Sequence, residues 1–274
     1  MCVQSCPGVR RLDPFPPCFL PYHTNLKTKA RLASGNVRLE RVGAGGQIIL
    51  LTLDRPRKAN AYTSIMLEQF SKCMNEAMAD GTVRAAVITG AGERCFCAGA
   101  DLNELAGKNS LDALDLLSRT LFDAWAATPW PTIAAIQGAA IAGGLELALA
   151  CDLRICDAAS RFALPEASLG LLPAAGGLRR LNTAIGESRA KQMILFGEEI
   201  SGSTALEWGL VSRVSGKVIA DAISLAERVA QRDRLATRLA KLALNENGSG
   251  AKQSSLEAVS QALLYHRRVE SKRS

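Results

Sequence analysis

The chain has 274 residues, 48% of them hydrophobic and 22% charged, and a formal net charge of +7. That length holds one large domain or two modest ones, and the balance excludes bulk disorder, collagen-like repeats and a coiled coil. The charge does not single out nucleic acid or an anionic membrane as a partner: residues 1–34 carry +4 and residues 264–274 carry +3, which leaves 35–263 neutral.

Residues 1–34 contain five of the ten prolines, and five basic residues against one acidic. No apolar stretch of roughly 7–15 residues follows the start, which argues against a secretory signal. The basic balance resembles a mitochondrial transit peptide, but the prolines break any long amphipathic helix. Residues 1–35 are therefore read as a disordered, Pro-rich basic extension. The expected compartment is the cytoplasm or the mitochondrial matrix, not the secretory route.

The folded body is expected to start at Asn36. Asn36–Val42 and Gln47–Leu53 flank Gly43-Ala44-Gly45-Gly46 and read as a hairpin. Thr63–Ala79 reads as an amphipathic helix with Met66, Leu67, Phe70, Met74, Ala77 and Met78 on one face, capped by Thr63 or Ser64. Arg84–Thr89 reads as a buried strand, 93–100 as a loop, and Ser110–Ala127 as a helix facing inward with Leu111, Leu114, Leu117, Leu121 and Trp125. Thr132–Cys151 is almost wholly apolar and about as long as a membrane span. Gln137, Glu146 and the glycines at 138, 143 and 144 divide it, so the expectation is a buried strand, a Gly turn and a short buried helix from Gly143 to Ala150. Leu153–Cys156 reads as a strand. Beyond Gly170–Gly177 (GLLPAAGG) the chain reads as helical, at 178–196, 203–208, 218–232, 235–245 and 252–266. Strands alternating with helices in the first two thirds indicate an α/β fold. The strand-poor last third reads as a helical region packed on the core or on a neighbouring subunit.

The chemistry is limited by what is scarce. The two histidines, His23 and His266, both fall in the basic ends, so Ser-His-Asp triads, Cys-His pairs and His-ligated zinc are poor readings. The eight cysteines form no paired CxxC motifs and suit a reducing compartment. Cys95 and Cys97 are either nucleophiles or small apolar filler. Catalysis must then rest on carboxylates, backbone amides or Lys, Tyr and Cys.

Two Gly-rich turns precede helix starts, Cys97-Ala98-Gly99-Ala100-Asp101 and Ala142-Gly143-Gly144-Leu145-Glu146. Amides at such starts lack internal partners and carry positive potential. If the two turns meet, they form an oxyanion hole; alone, each is an ordinary strand-to-helix turn. Glu146 lies three residues beyond Gly143, on the same helix face. Its apolar surroundings make it either a functional carboxylate or one paired with Arg154 or another partner. Glu166 follows twenty residues later, enough chain to double back. Two carboxylates beside an amide pair suit acid–base work on a carbonyl compound.

These residues, in order, resemble the crotonase superfamily, and most closely its enoyl-CoA hydratases. The resemblance spans roughly Asn36 to Leu263. It rests on Leu53-Asp54-Arg55-Pro56 with Asn60-Ala61, Phe96–Leu102, Gly143–Ala148, Pro165-Glu166 with Gly170, and Pro173 with Gly176-Gly177. It implies an α/β fold, a crotonase-like spiral of β-β-α repeats over residues 36–200. A C-terminal helical region, 201–274, would build a homotrimer or a hexamer of two trimers. It implies hydration of trans-2-enoyl-CoA thioesters to 3-hydroxyacyl-CoA, with a thioester enolate held by the Ala100 and Gly143 amides. Glu146 and Glu166 would be the catalytic pair. Lys58, Ala59, Ala61, Ala98, Asp101 and Leu102 would contact CoA, largely through backbone groups. No metal, no resident cofactor, no nucleic acid and no membrane are implied, and CoA arrives as part of the substrate. An enoyl-CoA isomerase and a specialised acyl-CoA dehydratase are the alternatives; Leu164–Gly170 is similar to the carnitine-type branch of the latter. The chain departs from the pattern at Ala142, Ala174 and Arg179, which would reshape the acyl pocket. It departs again after Tyr265, where HRRVESKRS replaces the usual acidic-Gly-Phe-Lys-Arg ending.

Overall fold

The computed structural model describes residues 36–107, 116–246 and 250–270, without the side chains of 250–252, 269 and 270. The expected extension 1–35 and the expected helical positions Leu111 and Leu114 lie outside the described residues.

Strand β1 (Asn36–Val42) pairs antiparallel with β2 (Ile48–Asp54), Val42 opposite Ile48, as the Gly-rich turn between them requires. Helix α1 (Ser64–Ala79) is capped by Thr63, whose Oγ1 accepts from the Met66 amide at 3.2 Å. It buries Met66, Leu67, Phe70, Met74 and Ala77. Met78, expected on the same face, is 48% exposed because it falls at the edge of that stripe.

Three β-β-α turns follow. The first is β3 (Ala85–Gly90), β4 (Cys95–Cys97), α2 (Leu102–Leu105) and α3 (Leu117–Ala126). The second is β5 (Thr132–Ile136), β6 (Ala139–Ile141) and α4 (Gly143–Leu149). The third is β7 (Leu153–Cys156), β8 (Arg161–Ala163), a 3-10 turn over Glu166–Leu169, α5 (Gly177–Ile185) and α6 (Glu187–Leu195). The chain continues through β9 (Ile200–Ser201), α7 (Gly202–Glu207), β10 (Arg213–Val214), α8 (Val218–Ala230), α9 (Arg234–Asn245) and α10 (Gly250–Glu270). The first strand of each turn enters a six-stranded sheet, ordered β1-β2-β3-β5-β7-β10. The second enters a four-stranded sheet, ordered β4-β6-β8-β9. The chain thus climbs as a spiral with two sheet walls.

The loop expected at 93–100 contains β4, and neither β6 nor β8 was expected. Each has three residues, too few to show a period of two. They hold together by parallel pairing with one another, which answers their buried backbone groups. The apolar stretch at 132–151 is strand, strand and helix. No helix among the described residues is long and apolar enough to cross a membrane.

Both faces of the large sheet are covered. Ala86, Ile88, Ala134 and Ile136 face the main core, while their neighbours Ala85, Val87, Ile133 and Ala135 face α8 through Val218, Ala222 and Ala226. Burial on two faces explains why these strands read as continuous apolar runs. Helix α9 is pinned to the sheet by the buried Lys241, whose Nζ donates to Asp152 Oδ2 and the Trp130 carbonyl, each at 2.8 Å.

Candidate active site

The two Gly-rich turns meet. An ideal Cβ on Gly99 would lie 3.0 Å from the Gly143 amide nitrogen. A zipper of backbone bonds sets the first turn: Ala98 N donates to Ala59 O (3.0 Å), Tyr62 N to Gly99 O (2.8 Å) and Asp101 N to Tyr62 O (2.9 Å). This parallel bridge between Tyr62 and Ala100 aims the Ala100 N–H away from Tyr62. Gly143 opens α4, where an N–H has no intrahelical acceptor. Among the described residues neither amide donates a hydrogen bond, and both residues line one cavity of about 560 Å³.

Glu146 and Glu166 line the same cavity, 4% and 7% exposed. Oε1 of Glu146 accepts from the Ala175 and Gly177 amides, each at 2.8 Å. Arg154 is not its partner; that guanidinium serves the carbonyls of Leu210, Ala148 and Cys151. The approach to Gly177 is close: a Cβ there would lie 2.8 Å from Glu146 Oε1. Burial raises the Glu146 carboxyl above its ordinary range, and the two amides oppose this. Glu166 stands at the start of the 3-10 turn, and its Oε2 is buried without a hydrogen-bond partner. Burial first, then the neighbouring Glu146 charge, push its carboxyl up to about 7. Such a pair can hold one proton at neutral pH while the other carboxyl is ionised.

Of the other expected residues, Lys58, Ala61, Ala98, Asp101 and Leu102 line the cavity and Ala59 does not. Ala59 is in a left-handed conformation (φ +51°) and spends its N–H on Pro56 O and its carbonyl on Ala98 N, so it joins the two turns. Asp101 caps α2 by accepting from Asn103 N (2.9 Å) and is bound to Arg55 Nη1 at 2.6 Å. Arg55 also holds its carboxyl below the usual range. Cys95 and Cys97 are filler: both are buried, and burial pushes the Cys97 thiol up to about 12. Arg179 does not line the cavity and pairs with Asp123 at 3.8 Å, so it leaves the pocket unshaped; Ala142 and Ala174 do line it. Among the described residues no group of three or more His, Cys, Asp or Glu side chains is arranged to hold a metal ion.

Tyr62 was not singled out from the sequence. It is buried, stacks edge-on against Phe122 with centroids 5.9 Å apart, and lines the cavity. Its hydroxyl would lie 2.1 Å from a Cβ at residue 143, which is why glycine stands there. No pattern in the sequence marks this contact, since 80 residues separate the partners.

Ala142 is strained. Its φ of +52° with ψ of −129° is a region that L-residues avoid. Such conformations cost on the order of 1–3 kcal/mol. Ala142→Gly is therefore expected to stabilise the protein by about 1 kcal/mol, net of the extra chain freedom glycine brings to the unfolded state. Urea denaturation of the two proteins measures it, and a loss of stability would refute it.

The spiral fold sets a carboxyl pair and two free amides in one cavity, an arrangement suited to acid–base work on a carbonyl compound. The profile of the Enoyl-CoA hydratase/isomerase family matches residues 43–273. The chain is 40% identical over 212 residues to 2,3-dehydroadipyl-CoA hydratase of Escherichia coli, covering 77% of this chain and 83% of that protein. It is 35% identical over 214 residues to short-chain-enoyl-CoA hydratase of Clostridium acetobutylicum, covering 77% and 81%. The crystal structure of enoyl-CoA hydratase from Bacillus anthracis superimposes with a TM-score of 0.80 at 34% identity, over 84% of this chain and 91% of that one. The chain belongs to the enoyl-CoA hydratase/isomerase family, within the crotonase superfamily.

Proposed function

We propose that the protein hydrates trans-2-enoyl-CoA thioesters to 3-hydroxyacyl-CoA. The observation that carries this is the pair of buried carboxyls, Glu146 pinned by two amides and Glu166 with its Oε2 unpartnered, in one cavity with the free amides of Ala100 and Gly143. The amides receive the thioester oxygen as negative charge develops on it. Water lies between the carboxyls; its oxygen adds to the β-carbon and its proton passes to ionised Glu146. Protonated Glu166 delivers a proton to the α-carbon. Return of the proton from Glu146 to Glu166 restores the enzyme, and the thioester has gained H and OH. The protein's own groups perform every step, so no resident cofactor enters, and CoA comes with the substrate.

Lys58, Ala61, Ala98 and Leu102, at the cavity wall, would contact CoA. An isomerase typically works with one carboxylate near Glu166, so the second carboxyl supports hydration over double-bond transfer. The apolar exposure of Leu244 and Val259 (78% and 68%) supports a homotrimer or hexamer built through the C-terminal helices. Free cysteines at 73, 95, 97, 151 and 156 suit the cytoplasm or mitochondrial matrix.

The test is loss of the ultraviolet absorbance of the conjugated thioester, with crotonyl-CoA and longer enoyl-CoAs, for the wild type, Glu146→Gln and Glu166→Gln. Turnover by the wild type and its collapse in both variants are expected. Unchanged turnover in both would sink the mechanism, and activity only with a 3-enoyl-CoA would favour the isomerase.

A further inference from the structure

The proposed chemistry needs Glu146 held in place and ionised, and α4 (GGLELAL) supplies no cation to help. The hold comes from outside the helix. Oε1 is gripped by the amides of Ala175 and Gly177, in the segment that enters α5. A segment that turns its N–H groups toward Glu146 turns carbonyls elsewhere, and those carbonyls need donors. Two arginines answer them. Arg119, on α3, donates Nε to Ala174 O at 2.8 Å, and Arg180, on α5, donates Nη1 to Ala175 O at 3.1 Å. The Arg180 side chain is 9% exposed and is itself held through Nη2 by Asp123 of α3. Its guanidinium lies so close to the turn that a Cβ at Gly176 would be 2.2 Å from Nη1.

We propose that Arg180, with Arg119, is a clamp that fixes the 174–177 segment from behind, so that Glu146 is both positioned and kept ionised for its step. The proposal rests on the assignment of Glu146 as the group that takes the proton from water. Neither arginine lines the cavity, so both are positioning residues.

The charged and titratable groups that act on one another around Glu146 are Arg180 and Arg119, which favour its ionised form, and Glu166 and Tyr62, which feel its negative charge. The coupling is reciprocal, since Glu146 also favours the charged form of Arg180. Arg180→Gln removes the charge and loosens the grip. Arg180→Lys keeps the charge but loses the fork that spans Ala175 O and Asp123.

Full pH profiles of kcat and KM for hydration of crotonyl-CoA test the clamp. Arg180→Gln is expected to lower kcat about 10- to 100-fold with KM within about twofold. It should also move the acid limb of the kcat profile to higher pH, because Glu146 then protonates more readily. Arg180→Lys should leave that limb in place while kcat stays low, and it serves as the folded comparison if the Gln variant does not fold. In a Glu146→Gln background, Arg180→Gln should change the residual kcat by less than about twofold, since no carboxylate is left to place. An unmoved acid limb in Arg180→Gln would overturn the clamp, as would a limb moved by Arg180→Lys or an undiminished effect in the Glu146→Gln background. Wild-type kcat in Glu146→Gln alone would overturn the assignment of Glu146, and the clamp with it.

Discussion

Glu166→Gln is expected to lower kcat by about 10²–10⁴-fold, the range typical of a lost general acid, with little change in KM. Gln keeps the volume and can form hydrogen bonds, so only the transferable proton is removed. The pH dependence separates this loss from a packing defect. Glu166 must be protonated to act, and burial with the neighbouring Glu146 charge sets its carboxyl at about 7. The kcat/KM of the wild type should therefore fall as pH rises through about 7, and the variant's residual rate should lack that limb. Wild-type stability should fall over the same rise in pH. In the unfolded chain this carboxyl ionises near 4.5, and the fold raises it. The stability it contributes is fully present below the unfolded value and is lost as pH rises through about 7. Gln cannot ionise, so the variant's Tm should gain on that of the wild type between about pH 5 and pH 8. A variant whose Tm lags further at the higher pH would contradict the burial of the Glu166 carboxyl.

The second large effect lies at Gly143. Gly143→Ala is expected to lower kcat by about 10²–10³-fold, the cost of one lost oxyanion donor. The new Cβ would meet the Tyr62 hydroxyl at 2.1 Å and its ring carbons at 3.0 and 3.1 Å. Tyr62 is packed edge-on against Phe122, so the start of α4 yields and carries the amide out of line. Adding Tyr62→Phe removes the first contact and leaves the other two, and partial recovery of kcat is expected. Tyr62→Phe alone leaves both amides in place and should cost far less than Gly143→Ala. Single-turnover kinetics on the three variants measure this. Equal kcat in Gly143→Ala and the wild type would remove the Gly143 amide from the mechanism.

Much of the site was legible because its parts are local. The i, i+3 relation of Gly143 and Glu146, the Gly99-Ala100 turn and the cap at Thr63 each follow from a few neighbouring residues. The long elements were legible for the same reason: α1 shows its apolar stripe and β5 its buried run. The strands β4, β6 and β8 were not, because three residues carry no period and their pairing partners lie far along the chain. Arg154 was a reasonable partner for Glu146 by proximity in sequence, yet carbonyls of its own neighbourhood and of Leu210 claimed it.

The sequence by itself narrowed the chemistry. Its scarcity of histidine set imidazole routes aside, and its two Gly-rich turns and two glutamates, read with the family resemblance, pointed to carboxyl and amide catalysis. Only the tertiary structure decided how those groups are held: Oε1 of Glu146 by the Ala175 and Gly177 amides, Oε2 of Glu166 buried without a partner, Gly143 against Tyr62, and Arg180 behind the segment that grips Glu146. The Glu146 and Tyr62 contacts join residues 29 to 81 positions apart, and the short-range grip of Arg180 carries no sequence mark. Periodicity and capping report the neighbours of a residue along the chain, whereas the state of a buried carboxyl depends on which distant dipoles and charges the fold brings to it.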